Sequence, residues 1–228
     1  MDRRLSGPSI ALLVLLAAAV ALSFSAAATD HLPGDRSLSS FIQDRPLPGR
    51  GLSRAVRAIT GTQVVVATGL ALAAAAWLAG WRKEAIVFLA GLLLLPFLQA
   101  ALKELIDRPR PDPSLVDRRA AFGSPSFPSG HVMSGAYLYG AILVAALHRL
   151  RRRDRLALAW AAVAAVASIV LILDGLANVY MGVHWPSDVL GGYLWAAVIL
   201  AVAGAGLCWW RSASRDGASP QAGASPPL

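Results

Sequence analysis

Six long apolar segments restrict the fold of this 228-residue chain more than any other feature. An α-helix rises 1.5 Å per residue, so about 20 apolar residues cross the hydrocarbon core of a bilayer. The segments are therefore predicted to form an all-α bundle of six transmembrane helices, the second being the shortest. They run over Ile10–Ala28, Thr62–Trp77, Ala85–Leu102, His131–Leu147, Leu156–Asn178 and Val189–Trp209.

Composition agrees with a membrane protein and argues against other classes. Hydrophobic residues make up 56% of the chain and charged residues only 15%, whereas a soluble domain carries about 25% charged residues. The net charge of +8 comes from arginines in short connecting segments, without the basic stripe and interleaved aromatics of a nucleic-acid-binding surface. No nucleic-acid partner is expected. A single cysteine, Cys208, permits no internal disulfide and does not indicate a redox compartment.

The distribution of charge predicts the orientation in the cell membrane. With the amino terminus inside, the inner segments carry eleven basic and four acidic residues, and the outer segments carry ten and nine. The densest basic cluster, 148–155, then lies inside, as the positive-inside rule requires. Both termini are predicted to be cytoplasmic, and the polar motifs described below are predicted to lie on the extracytoplasmic side.

The first apolar segment has an alternative interpretation. Arg3, Arg4, the apolar stretch and Ala26-Ala27-Ala28 resemble a signal peptide with its cleavage site. The stretch is somewhat long for a signal peptide, so an uncleaved span is favoured. Either interpretation places the following segment on the far side of the membrane.

The segment from Thr29 to Ile59 is too polar to span. Leu52, Val56 and Ile59 recur in it at helical spacing, with Arg50, Arg54 and Arg57 on another face. An interfacial helix on anionic headgroups and a solvated loop with some helix both fit this pattern. At the other end, residues 212–228 are rich in Ser, Gly, Ala and Pro, which predicts a disordered cytoplasmic tail after a membrane domain of residues 1–211.

His184 and Asp188 stand where the last apolar segment begins. Pro186 suits the first turn of a helix, which places Asp188 just inside that span. A carboxylate there can hydrogen-bond one imidazole nitrogen of His184, fix the tautomer and leave the other nitrogen free to attack an electrophile. The plain alternative is a histidine at the membrane interface without a reactive role.

His131 follows Pro128-Ser129-Gly130 at the start of the fourth apolar segment. The free N–H groups of a helix start favour an anion. Gly130 permits close approach of backbone, the Ser129 hydroxyl can donate to a phosphate oxygen, and His131 can protonate a leaving oxygen. An ordinary turn with a helix cap explains the tripeptide equally well when it is taken alone.

Lys103 and Arg110 supply positive charge at the end of the third segment. Arginine can hold a phosphate through two parallel hydrogen bonds, and lysine acts as a point charge. Both side chains could instead extend to lipid headgroups. Gln99 lies one helical turn before Lys103 and shares its face.

Taken together and in order, these motifs resemble those of the type 2 phosphatidic acid phosphatase (PAP2) family. The family signature is Lys-x6-Arg-Pro, then Pro-Ser-Gly-His, then Ser-Arg-x5-His-x3-Asp. The chain has Lys103 to Arg110-Pro111, Pro128 to His131, and His184 to Asp188. The resemblance covers about residues 60–205.

The resemblance implies a six-helix core of the PAP2 and haloperoxidase type and a metal-independent reaction that needs no cofactor. It implies a phosphohistidine on His184, oriented by Asp188, and His131 as the general acid. It also implies phosphate-binding groups, which are Lys103, Arg110, Ser129, Gly130 and the residue at position 178.

The signature fails at one point, since Ala177-Asn178 replaces Ser-Arg. Asparagine keeps a hydrogen-bond donor but loses the charge and the fork geometry. Either a neighbouring cation substitutes, or the substrate differs, or activity is low. The arginines nearest in sequence are Arg108, Arg118 and Arg119.

Asp174 lies one turn deeper than Asn178, inside an apolar segment. An acid within a span is a functional candidate. It could hydrogen-bond within the bundle together with Asn178 or contact a substrate hydroxyl; structural pairing between helices is the alternative.

The function predicted from these observations is hydrolysis of a membrane lipid phosphate, with the lipid bilayer as the environment. An isoprenoid diphosphate such as undecaprenyl diphosphate, phosphatidic acid and phosphatidylglycerol phosphate are all candidate substrates. Transfer of the phosphoryl group to another acceptor, or binding of phosphorylated lipids with little turnover, are the alternatives.

Overall fold

The computed structural model describes residues 7–152 and 155–216, and the regular structure within them is helical. Eight helices follow one another in these two ranges, and the longest connection between two of them is the non-helical segment 107–129. The helices are α1 (Gly7–Ala28), α2 (Asp35–Gln43), α3 (Gly49–Thr60), α4 (Thr62–Leu78), α5 (Arg82–Ile106), α6 (Gly130–Leu150), α7 (Ala157–Tyr180) and α8 (Pro186–Asp216).

Every predicted span coincides with a helix. Five of these helices, α1, α5, α6, α7 and α8, are long and apolar enough to cross a membrane. The predicted second span corresponds to α4, which has only 17 residues. It forms a sixth candidate span together with α3, with a bend of 50° between the two helices.

The polar segment before α4 contains helix, as both interpretations predicted, but its faces differ from the prediction. Val56 and Arg57 are buried, whereas Leu52 and Ile59 are 42% and 41% exposed. Arg57 therefore points into the protein and not toward lipid headgroups.

Two predictions concern the ends of the chain: an uncleaved first span and a disordered tail from residue 212. Helix α1 packs against α8, where the Trp195 indole N–H donates to the Ser23 hydroxyl at 3.1 Å. Helix α8 continues to Asp216, so the predicted disordered tail from residue 212 begins too early. The rest of that tail, residues 217–228, lies outside the described residues.

The core lies where α4, α5, α6 and α8 meet. Val65, Leu92, Tyr137 and Ala196 are fully buried there. Small residues allow the close approach of helices that is typical of packing in lipid. At Gly91, for example, a Cβ atom would lie 2.4 Å from the Tyr137 hydroxyl oxygen.

Large apolar side chains cover the outside of the bundle. Leu78, Leu105 and Leu158 are each more than 80% exposed, and Phe97 is 73% exposed. A water-soluble monomer rarely exposes so much contiguous apolar surface. These faces suit contact with lipid acyl chains.

The polar residues of the predicted site lie together at one end of the helix bundle. The carboxyl ends of α3, α5 and α7 meet there with the amino ends of α6 and α8. The segment 107–129 and the short helix α2 lie at this same end, and they contribute the polar contacts described below.

Candidate active site

His184 lies in the turn between α7 and α8. Gly182 makes this turn with a φ of +64°, and a Cβ atom at Gly182 would lie 2.4 Å from the Asp117 carbonyl oxygen. The His184 Nδ1 atom lies 3.6 Å from Asp188 Oδ2, which is long for a hydrogen bond. On the other side of the ring, Nε2 lies 3.3 Å from Arg110 Nη1. The ring is therefore held between a carboxylate and a guanidinium.

Asp188 belongs to a fully buried polar network. Its Oδ1 accepts from Arg108 Nη1 at 2.6 Å, and its Oδ2 accepts from the Ser126 hydroxyl. Arg108 also donates to Asp35 Oδ2 at 3.1 Å and to the Ser187 hydroxyl at 2.8 Å. Asp35 on α2 in turn accepts the Ser187 backbone N–H at 2.9 Å. The carboxylate beside His184 is thus fixed by a network with members from three parts of the chain.

Arg110 and Lys103 are held near His184 by backbone carbonyl groups. Arg110 Nε donates to the Ser124 carbonyl at 2.8 Å, and Nη1 donates to the Val183 carbonyl at 2.7 Å. The Lys103 ammonium donates to the Pro125 carbonyl. Carbonyl groups fix these cations without neutralising them, so both remain able to attract an anion.

The amino end of α6 lies beside Asp188 and the end of α5. The Ser129 backbone N–H donates to the Asp188 carbonyl at 3.0 Å. The Ser129 hydroxyl makes no capping bond to the helix, and it is buried without a hydrogen-bond partner in the described structure. At Gly130 a Cβ atom would lie 3.3 Å from Gln99 Oε1. The Gln99 carboxamide donates to the Ser134 hydroxyl at 2.8 Å, which fixes α5 against α6.

The side chains of Arg110, Arg57 and His131 lie around the Phe122 ring. The guanidinium carbons of Arg110 and Arg57 lie 4.9 Å and 5.2 Å from its centroid. The His131 ring lies 6.3 Å away, edge to face. The break between α3 and α4 is close to His131, because a Cβ atom at Gly61 would lie 3.8 Å from His131 Nε2.

Asn178 is fully buried, and its hydrogen bonds are all made within the protein. Its side-chain nitrogen Nδ2 donates to the Asp174 carbonyl oxygen at 2.8 Å and to Asp174 Oδ1 at 2.9 Å, so both amide hydrogens are directed at Asp174. Its oxygen accepts from Arg57. Asp174 Oδ1 also accepts from Thr60 at 2.8 Å. The predicted phosphate ligand Asn178 therefore offers no free donor in this structure, and the predicted pairing of Asp174 with Asn178 is present.

Burial decides the protonation of the His184 ring. It lowers the pKa of His184 from 6.5 to about 4, although Asp188 acts in the opposite direction. The pKa of Arg110 falls to about 10, first through burial and then through the positive charges of Arg57 and Arg118. At neutral pH His184 is thus a neutral imidazole, as a nucleophile must be, beside a charged guanidinium.

We expect the His184 resonance to keep its neutral-imidazole position as the pH falls from 8 to about 5, because the pKa is lowered. NMR of histidine-labelled protein over this pH range measures the position of the resonance, and the His184→Gln variant identifies which resonance belongs to His184. The unfolded chain protonates near pH 6.5, so this group makes the folded state less stable as pH falls from about 6.5 to about 4. A midpoint at or above 6.5 would contradict the expectation.

The eight predicted site residues lie at the same end of the bundle, but the amide hydrogens of Asn178 are taken up by Asp174. The structure also adds residues that the sequence did not indicate. Of the arginines nearest in sequence, Arg108 is committed to Asp35 and Asp188, and Arg119 lies over the Tyr180 ring at 3.9 Å. The cation found beside Asn178 is Arg57, from another helix. The helical spacing of α3 placed Arg57 in a helix but could not indicate this contact. The other unpredicted members are Asp35, Phe122, Ser124, Ser126 and Ser134. The contact of Arg108 with Asp35 and Asp188 was not predicted either.

The fold and this site define a class of protein: a multi-pass helical membrane protein with two histidines and several cations at one end of its bundle. The family model described as "PAP2 superfamily" matches residues 84–211, which is more than half of the chain. The chain belongs to the PAP2 superfamily.

A curated protein and a solved structure resemble it. Phosphatidylglycerophosphatase B of Bacillus subtilis (strain 168) is 38% identical over 99 residues, which is 42% of this chain and 44% of that protein. The match thus spans less than half of that relative. The crystal structure of a transmembrane PAP2 type phosphatidylglycerolphosphate phosphatase from Bacillus subtilis superposes with a TM-score of 0.68, at 23% identity, over 85% of this chain and 94% of that chain. This likeness confirms the predicted all-α transmembrane fold.

Proposed function

We propose that the protein hydrolyses a phosphate ester of a membrane lipid through a phosphohistidine on His184. One observation carries the proposal. His184 has a carboxylate on its Nδ1 side and Arg110 at 3.3 Å from Nε2. A phosphoryl group held by Arg110 would therefore lie beside Nε2, the ring nitrogen that faces away from Asp188.

In the first step, His184 Nε2 attacks phosphorus. The N–P bond forms as the bond from phosphorus to the lipid oxygen breaks, and His131 gives its proton to that oxygen. Lys103, Arg110, the Ser129 hydroxyl and the Gly130 N–H are the donors available to the phosphoryl oxygens. Preorganised donors of this kind stabilise the charge that builds up in the transition state. The unpartnered Ser129 hydroxyl supports this assignment.

In the second step, a water molecule attacks the phosphorus of the phosphohistidine. His131, now deprotonated, takes a proton from the water while the N–P bond breaks. Inorganic phosphate leaves, and His184 returns to its neutral form. Asp188 stabilises the imidazole ring throughout both steps, as the third member of a nucleophile site does.

Phosphatidylglycerol phosphate is the substrate that the relatives favour, because both are named for its hydrolysis. Phosphatidic acid and undecaprenyl diphosphate are the other substrates to compare. The charge distribution of the sequence supports an active site on the extracytoplasmic side and cytoplasmic termini.

Release of inorganic phosphate from a panel of these three lipids, by the purified protein in detergent micelles, tests the proposal. We expect release from at least one of them, with phosphatidylglycerol phosphate fastest, and none with His184→Ala. The same lipids supplied on the outside of sealed, right-side-out vesicles should also be hydrolysed.

Three outcomes would change the proposal. Failure to release phosphate from any of the three lipids would contradict a lipid phosphatase. Release that rises only when a second hydroxyl compound is added, with phosphate recovered on that compound, would indicate a phosphotransferase. Hydrolysis confined to inside-out vesicles would contradict the proposed orientation.

A further inference from the structure

The cation that the PAP2 signature carries at position 178 is missing from α7, but a guanidinium lies beside that position. Arg57, from α3, donates a hydrogen bond to the Asn178 side-chain oxygen. The two residues are 121 positions apart in the sequence. We propose that Arg57 replaces the missing arginine and binds the phosphoryl group of the substrate together with Arg110 and Lys103. This inference rests on the proposed function.

The position of Arg57 in the site supports this role. Its guanidinium and that of Arg110 share the Phe122 ring, at 5.2 Å and 4.9 Å from the centroid. His131 contacts the same ring. Arg57 is also one of the charges that lower the pKa of Arg110. Two guanidinium groups and the proposed general acid therefore surround one small region.

Among the described residues, no carboxylate is in direct contact with the Arg57 guanidinium; the charge of Asp174 acts on it from the far side of Asn178. Arg57 is only 8% exposed, and it forms no ion pair with a carboxylate of the described part of the chain. A guanidinium has five N–H donors, and the Asn178 oxygen is the hydrogen-bond acceptor that the structure gives them. A buried charge is costly unless it is paired and hydrogen-bonded. A bound phosphate would supply both the charge and the acceptors.

Asn178 acts as a positioning residue for Arg57. Asp174 holds both hydrogens of the Asn178 amide, so the amide oxygen is turned toward Arg57. Thr60, on the same helix as Arg57, donates to Asp174 at 2.8 Å. At Gly135 a Cβ atom would lie 2.6 Å from Asp174 Oδ2, which shows how closely α6 approaches this group. The four residues Arg57, Asn178, Asp174 and Thr60 thus form one connected network.

A charge exchange tests the proposal. Arg57→Ala should lower kcat/KM by about 10²-fold and raise the inhibition constant of orthovanadate, a phosphate mimic, by a similar factor, since it removes a transition-state donor. Asn178→Arg alone should also lower activity, because it places a second guanidinium against Arg57. The double exchange Arg57→Asn with Asn178→Arg should recover at least about tenfold over either single change, because one cation is restored.

Arg54→Ala is the matched control, because Arg54 lies on the same helix but is exposed. It should change neither kcat/KM nor vanadate inhibition. Arg57→Lys, which keeps the charge, covers the case in which Arg57→Ala fails to fold. It should retain more activity than Asn178→Arg.

The results separate the inference from the proposed function. A folded Arg57→Ala variant with unchanged kcat/KM and unchanged vanadate inhibition would overturn the inference while leaving the phosphatase intact. A double exchange that folds but recovers nothing would also overturn it. If the unchanged protein hydrolyses no lipid phosphate, the proposed function fails. In that case, calorimetry of inorganic phosphate binding to the unchanged protein and to Arg57→Ala still decides whether Arg57 holds the anion.

Discussion

Replacing His184 by alanine is expected to abolish turnover, with a loss of about 10⁴-fold or more in kcat, because the change removes the proposed nucleophile. The second histidine of the site cannot substitute. His131 lies at the start of α6, and Phe122 and the α3–α4 break hold its ring. The reaction then has no protein nitrogen in front of the phosphorus.

The proposed covalent intermediate allows a direct measurement of this prediction. A lipid substrate labelled on its phosphate, mixed with the protein and quenched in alkali, should leave label on the protein that acid removes. Peptide mapping should place the label on His184. His148→Ala, at the opposite end of α6 and exposed, should neither reduce turnover nor remove the label. Label on another residue, or turnover that persists in His184→Ala, would contradict a phosphohistidine on His184.

Replacing Arg108 by methionine is expected to be the most destabilising single change at this end of the protein. Arg108 is fully buried between the carboxylates of Asp35 and Asp188. Removing it leaves two buried negative charges without their cation, which costs about 3–5 kcal/mol when a buried pair is broken. Activity should fall as well, because Asp188 loses the hydrogen bond that fixes its orientation toward His184.

Unfolding of the purified protein in mixed micelles, followed by circular dichroism over a denaturant series, measures this effect. Arg211→Ala is the matched control, since Arg211 forms an ion pair with Glu84 in which the side chains are 47% and 37% exposed. Breaking an exposed pair of this kind should cost less than about 1 kcal/mol. Equal effects of the two substitutions would show that the buried network does not stabilise the fold.

The positions of the helices could be predicted because a membrane demands long apolar runs. All six predicted spans coincide with helices, and the motifs between them predicted which helix ends carry polar groups. The 50° bend before α4 could not be predicted in this way. Gly61, with a φ of −59° and a ψ of +139°, leaves the helical conformation there. Glycine alone does not indicate a bend within a membrane span.

The site could be predicted only as far as its residues stand in local motifs. Lys103, Arg110, His131, His184 and Asp188 were found by spacing. Arg57, Asp35 and Arg108 have no such spacing, because the contacts Arg57–Asn178, Arg108–Asp35 and Arg108–Asp188 join residues at least 73 positions apart in the chain. Helical periodicity indicates which residues of α3 share a face. It does not indicate that the face with Arg57 contacts Asn178.

The contact between α3 and α7 has a consequence for how such a site can change over evolution. Arg57 and Asn178 touch each other, so their substitutions are not independent. Moving the guanidinium from one helix to the other by single steps passes through a protein with two guanidinium groups in contact or with none. Each intermediate would be less active than either end point. The two positions are therefore expected to show strong epistasis, with Asn178→Arg harmful in this chain although the PAP2 signature carries arginine at that position.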